Sequence, residues 1–311
     1  SNFFDLSFSE PWFLDKRMSI GGSIYNRTLE YSDVDQRTKG LSASVGYGLG
    51  LFDGISLFYG FTDTKSRYEV FPAPPPPGAG IPPAAYADYV GQTPAIAPGY
   101  RYDSRNDPFD PTRGRRFSLS VSIAGGPFGG DFSYVKPVGN ATIYHNLSRK
   151  SHVAVNVEGG YVAPYKGQDI PIFERFRIGG DRSVRGFAYG SIYPLKANNQ
   201  AFFSEQGALL GGDKYLVLNV EAVYYMAGPL KFVLFFDAGN AWHESQAFNP
   251  FQLRASAGAE LRMFLPIFQA PLRFIYGVTL DPKTILGVDG TPLTGAKEKR
   301  SDFQFSIGTT F

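Results

Sequence analysis

The chain has no cysteine among its 311 residues, so disulfides contribute nothing to its stability and a thiolate metal site is excluded. Charge is sparse: Asp, Glu, Lys and Arg make up 19% of the residues. The net charge of +2 is spread without a basic block or stripe, which argues against a nucleic-acid surface. A helical membrane span needs roughly 18 or more apolar residues in a row, and no such run occurs. The densest stretch, Phe232 to Phe236, is far too short. Residues Ser1 to Phe13 lack the basic start and apolar block of a signal peptide, so the sequence is expected to begin after some upstream region. Histidine is limited to His145, His152 and His243, with no cysteine and no paired acids beside them, and no metal site is expected. Gly46, Gly48 and Gly50 lack the strand-to-helix context of a phosphate loop. No serine is linked by a local signature to a histidine and an acid. Neither an enzyme nor a cofactor is expected.

What the sequence does contain is alternation, repeated many times. Residues 253–263 place Leu253, Ala255, Ala257, Ala259, Leu261 and Met263 on one face, and Arg254, Ser256, Gly258, Glu260 and Arg262 on the other. A strand has a period of two, so this segment has one apolar and one polar wall. Residues 116–123 repeat the pattern, with Phe117, Leu119, Val121 and Ile123 opposite Arg116, Ser118, Ser120 and Ser122. The segments 41–49, 152–161 and 272–280 do the same. A single such strand also fits a soluble sheet with one solvated face. As strands accumulate, an apolar aromatic face against a face of Ser, Gly and charge reads as lipid outside and water inside. Closure into a barrel then satisfies the backbone polar groups.

The pattern predicts an all-β, antiparallel transmembrane β-barrel with thirteen strands. They fall at 3–10, 18–31, 38–50, 54–70, 98–105, 115–126, 131–148, 151–163, 213–226, 230–242, 252–265, 271–281 and 302–311. Short links such as Ala227-Gly228 alternate with long connections at 71–97, 164–212 and 282–301, the bacterial barrel pattern. The 71–97 connection contains Pro74 to Pro77 and is expected to be an exposed, extended loop. Bacterial single-chain barrels usually have an even strand number, so thirteen implies strands upstream. With a periplasmic C-terminus, Ser1 would lie on the opposite side of the membrane.

Three segments carry more specific information. In Tyr102 to Gly114, Pro108 and Pro111 preset φ, while Asp110 and Gly114 suit turn positions. In Glu174 to Phe187, the pair Gly179-Gly180 is followed by Val184-Arg185-Gly186-Phe187. The third segment holds acids: Glu221 shares a strand face with Asn219 and Val223, and Asp237 shares one with Val233 and Phe235. Charges facing lipid cost about 2–4 kcal/mol near the midplane, so both acids should point inward. The chain ends with Phe303, Phe305 and Ile307 in alternation, then Gly308 and the terminal aromatic Phe311.

These segments resemble the surface-antigen barrel superfamily, in particular its BamA-like outer-membrane assembly factors. The resemblance runs from Leu6-Ser-Phe-Ser-Glu-Pro-Trp12 to Phe311. It implies that residues 1–311 are the fourth to sixteenth strands of a sixteen-stranded barrel, with the first three strands and the POTRA repeats outside the chain. It implies a periplasmic turn at 102–114, and a sixth extracellular loop whose Gly179, Gly180, Val184, Arg185, Gly186 and Phe187 enter the lumen. There Arg185 would pair with Asp237, with Glu221 alongside. The terminal residues resemble the sorting signal of outer-membrane barrels, and Gly308 matches a glycine that kinks the closing strand.

The function so implied is insertion and assembly of β-barrel proteins into the bacterial outer membrane. It would proceed without covalent chemistry, by pairing of nascent strands with a weakly zipped seam. The implied partners are nascent barrel proteins, outer-membrane lipid and accessory lipoproteins, with no cofactor and no metal. A secretion transporter or translocation-assembly homologue of the same superfamily is the alternative. A passive porin or the barrel anchor of a secreted hydrolase stands further off.

Overall fold

The computed structural model describes residues 3–30, 34–70, 85–264, 270–308 and 311. The strands in chain order are β1 (Phe3–Glu10), β2 (Met18–Glu30), β3 (Val34–Gly48), β4 (Asp53–Val70), β5 (Ala85–Asp103), β6 (Gly114–Ala124), β7 (Tyr134–Ser148) and β8 (Ser151–Tyr161). They continue with β9 (Ala163–Pro164), β10 (Lys214–Tyr225), β11 (Leu230–Trp242), β12 (Arg254–Met263), β13 (Leu272–Thr279), β14 (Thr284–Leu286), β15 (Pro292–Lys297) and β16 (Ser301–Ile307). Helix is confined to single 3-10 turns at Phe13–Asp15, Gly126–Phe128 and Ile172–Glu174, so among the described residues no helix could cross a membrane.

Thirteen strands form one antiparallel sheet in chain order, β1 to β8 and then β10 to β13 and β16. Sequence neighbours pair because connections are short or fold back on the same rim. β9 adds to β7, and β14 pairs with β15 as a separate hairpin inside the 280–300 connection. At the two edges, β1 pairs with β2 and β16 with β13. With thirteen antiparallel strands, Phe3 lies on the rim of the long connections and the end of β16 on the rim of the short turns.

Alternation sets the two faces. One outward row runs in register through Phe232, Leu261, Phe274 and Phe305 on four successive strands, and all four side chains are exposed. Phe274 and Phe305 meet with ring centroids 5.4 Å apart, a cross-strand aromatic pair. Phe117 is exposed likewise, while Arg254, Ser256 and Glu260 are buried on the inner face.

One expectation changes, and two details go beyond it. β5 begins at Ala85 rather than residue 98, and its first residues pair with the far end of β4, Ala85 opposite Val70. Proline donates nothing to a ladder, yet Pro94 and Pro98 lie within β5, opposite Phe61 and Leu57. The pairing with β6 skips residues 97 and 98, where Pro98 has no N–H to give. The run Pro74 to Pro77 lies outside the described residues. The long 282–301 connection carries a hairpin of its own, β14 and β15. Finally, strict alternation would send Phe311 outward with Phe303 and Phe305. Instead Gly308 takes φ +120°, and Phe311 lines an inner cavity with Phe109, Asp110 and Lys231.

Candidate functional site

The inner wall carries a polar row. Thr142, Asn156, Asn219, Asp237, Ser256 and Thr279 stand opposite one another across β7, β8, β10, β11, β12 and β13. All six are buried, so each must find a hydrogen-bond partner. Thr142 Oγ1 donates to Asn156 Oδ1 at 2.9 Å and Asn156 Nδ2 to Asn219 Oδ1 at 3.0 Å. Asn219 Nδ2 donates to Asp237 Oδ1 at 2.9 Å.

The tip of the 162–213 connection lies along this row. Its neck is tight: Gly180 N–H donates to Val184 O at 3.1 Å, and Gly179 N–H to Ser183 Oγ at 2.8 Å. From there the backbone crosses the wall strand by strand. Ser183 O accepts from Asn219 on β10 at 2.6 Å, and Arg185 N–H donates to Asp237 on β11 at 3.0 Å. Arg185 O accepts from Ser256 on β12, and Gly186 O from Thr279 on β13 at 3.3 Å. Phe187 O accepts from Gln304 on β16 at 2.8 Å. Contact this close needs glycine on both sides. Gly186 has φ +84°, and a Cβ on Gly277 would stand 2.6 Å from Gly186 Cα.

The Arg185 side chain is fully buried, and each of its three nitrogens is hydrogen-bonded. Nε donates to Asp237 Oδ2 at 2.7 Å and Nη2 to Asp237 Oδ1 at 2.8 Å, a bidentate fork. Nη1 donates to Glu221 Oε1 at 2.6 Å and to Glu260 Oε2 at 3.0 Å. The guanidinium carbon lies 3.9 Å from the centre of the Phe235 ring. Glu260 also accepts from Arg262 at 2.7 Å and from both Nε and Nη2 of Arg273 at 2.9 Å. Arg262 returns to Glu221 at 3.1 Å. Arg185, Arg262 and Arg273 thus face Glu221, Asp237 and Glu260, three cations against three carboxylates. That balance lets the set stay charged away from water.

Val184 and Phe187 anchor the apolar side of the tip, in a cluster with Ile178, Ile192, Tyr215, Val217 and Ala241. The base of the same connection packs elsewhere. Ile172, Phe173 and Ala208 meet Val34, Tyr68 and Tyr89 of β3, β4 and β5, and Tyr89 Oη lies 2.8 Å from Ser204 Oγ. The connection therefore spans the lumen, with its base on β3 to β5 and its tip on β10 to β16. On the rim of the long connections Phe202 stacks on His243 with centroids 4.2 Å apart. Ile285 of β14 joins Tyr193, Ala201 and Leu209.

At the opposite rim the 104–113 turn folds inward. Asp107 Oδ1 accepts from the N–H groups of Phe109 and Asp110 at 2.8 and 3.0 Å, which holds its carboxyl below the usual carboxylate range. Asp110 then reaches the wall, accepting from Tyr225 Oη at 3.0 Å and pairing with buried Lys231.

Arg185, Glu221 and Asp237 stand together, and Gly186 and Phe187 follow on the same tip. Phe303 and Phe305 point outward on β16. Sequence reasoning placed Glu260 and Arg262 on the polar face without assigning them a role, and it did not single out Arg273. Each is a charge at an inward position of an alternating strand, and that was the available signal. His145 is exposed and His152 buried. Among the described residues no group of three His, Cys, Asp or Glu could hold a metal.

A family model described as the Omp85 superfamily domain matches residues 1–311. Outer membrane protein assembly factor BamA of Nitratidesulfovibrio vulgaris is 29% identical over 315 residues, covering 100% of this chain and 36% of that protein. The sorting and assembly machinery component 50 homolog of Mus musculus is 34% identical over 113 residues, 36% of this chain and 22% of that protein. The crystal structure of BamA from Haemophilus ducreyi lacking POTRA domains 1-3 superposes with a TM-score of 0.74 at 22% identity, covering 98% of this chain and 62% of that one. The chain therefore spans about a third of the length of the bacterial relative, 36%.

Proposed function

Because the chain belongs to the Omp85 superfamily, we propose that it is the barrel portion of a factor that inserts and assembles β-barrel proteins in the bacterial outer membrane. The observation that carries this reading is the match of the whole chain to a protein named as an outer-membrane assembly factor. The sheet supports it physically. An edge strand leaves a row of N–H and C=O groups that a client strand can pair with, so a nascent barrel protein could add to β16 by β-augmentation. The exposed aromatic and aliphatic outer face supports an integral place in outer-membrane lipid, with the short-turn rim and the C-terminus on the periplasmic side. In this reading the thirteen wall strands are the last thirteen of a sixteen-stranded barrel that follows POTRA repeats, and accessory lipoproteins are partners.

The docked tip supplies the mechanical part of the proposal. Arg185 latches the 162–213 connection to β10, β11 and β12 through Glu221, Asp237 and Glu260, and the connection props β3 to β5 away from that wall. Clients then meet a lumen of fixed shape. The test is reconstitution of the intact protein in liposomes, with the folding rate of an urea-unfolded outer-membrane barrel as readout. Faster folding than in protein-free liposomes is expected. Equal rates in both would remove the assembly reading.

A further inference from the structure

β16 has a single strand neighbour, β13, among the described residues. A strand held on one side gets half the backbone hydrogen bonds of an interior strand, so its side-chain ties weigh more. Two such ties come from the docked tip. Gln304 Nε2 donates to Phe187 O at 2.8 Å, and Ser306 Oγ donates to Asp181 Oδ2. Asp181 does more than meet β16. Its backbone oxygen accepts from Arg273 Nη1 at 3.2 Å, and its carboxylate lies 3.8 Å from the same nitrogen. Arg273 and Ser306 are direct cross-strand partners. Asp181 thus sits over one residue pair and joins both strands to the loop.

We propose that Asp181 is a positioning residue that clips the lumen face of β16 to the docked tip, so that the tip governs how firmly this edge strand is held. The clip belongs to the same chain of contacts as the latch: Arg185 to Glu260, Glu260 to Arg273, Arg273 to Asp181, and Asp181 to Ser306. Undocking the tip removes the loop acceptors of Gln304 and Ser306 together; Gln304 keeps only Asp302 within β16 at 3.3 Å, and among the described residues β16 is then tied through its backbone to β13. That β16 presents an edge to clients rests on the assembly reading above; the clip itself does not depend on it.

Hydrogen exchange in the intact protein in lipid nanodiscs, without any client, tests the clip. A hydrogen bond to a carboxylate is strong enough that losing it should speed exchange of the 301–307 amides about tenfold. Asp181→Ala and Ser306→Ala are each expected to do so while β10, β11 and β12 keep parent rates, with the double variant no faster than either. Ser306→Thr, which keeps the hydroxyl, should exchange like the parent. Unchanged 301–307 amides in Ser306→Ala overturn the proposal, and so does acceleration spread evenly over β10 to β16. Should Asp181→Ala not fold, the Ser306 pair of variants decides alone. Failure of the liposome assay with slow parent exchange at 301–307 would sink the assembly reading and leave the clip standing.

Discussion

Asp237 receives three hydrogen bonds from one residue, Arg185: two from the guanidinium at 2.7 and 2.8 Å and one from the backbone N–H at 3.0 Å. The carboxylate therefore fixes both the side chain and the path of the tip. Removing the guanidinium by Arg185→Ala takes the fork from buried Asp237 and leaves three carboxylates facing two guanidinium groups, Arg262 and Arg273, and should lower stability by about 3–5 kcal/mol. Arg185→Lys should recover little, because an ammonium cannot fork to Asp237 while reaching Glu221 and Glu260. Thermal unfolding of the purified barrel, read by loss of strand signal, gives both values. A lysine variant as stable as the parent would contradict the fork.

Glu260 takes hydrogen bonds from Arg185, Arg262 and Arg273 at once. Glu260→Gln leaves three guanidinium groups facing two carboxylates, and midpoint stability should fall. Adding Arg273→Gln restores the balance and should recover part of the loss. A double-variant cycle measures that coupling, and strict additivity would mean the two residues act independently.

The approach of Gly186 to Gly277 predicts a steric effect without any change of charge. Gly277→Ala puts a methyl 2.6 Å from Gly186 Cα, with backbone on both sides and nothing flexible to yield. Overpacking of this kind costs about 1–3 kcal/mol, and here the loop tip should give way first. Arg185 is fully buried, so trypsin can cut after it only when the tip leaves the wall. The alanine variant should be cleaved there faster than the parent, at unchanged strand content.

His243 stacks on Phe202 at an interplanar angle of 7°, and burial pushes its pKa below the ordinary 6.5. The folded form thus resists protonation, while the unfolded chain takes up a proton near the ordinary value. Stability should be flat above that value, fall as pH drops through it, and level off below the folded pKa. Melting between about pH 8 and about pH 5 checks this against His243→Phe, which keeps the stack without the charge. The phenylalanine variant should show a shallower fall than the parent across that range.

The order and facing of the strands were legible in the sequence because alternation is written into each strand separately. Leu253 to Met263 states which side is apolar whatever the rest of the chain does, and an inward Glu221 or Asp237 follows from the cost of charge in lipid. The start of β5 was not legible. Pro94 and Pro98 argue locally against a strand, and only pairing with the long β4 carries the chain through them. Phe311 shows a related limit: alternation carried past Gly308 would point it outward, but Gly308 leaves the extended region with φ +120°.

The composition of the latch divides along the same line. The sequence by itself determined that residues 179–187 are a glycine-flanked arginine segment in a long connection, and that acids stand on inward positions of the following strands; that the segment is a tip pairing with Asp237 and Glu221 came only from the resemblance. Which acids and arginines meet was decided by the tertiary structure. Register sets Asp237 beside Asn219 and Ser256, and the fold of the loop brings residue 185 to residues 221, 237 and 260, and residue 181 to residues 273 and 306. Alternation has a range of two residues. Contacts between positions 36 to 125 residues apart exist only once strand pairing and the docking of the loop are both in place.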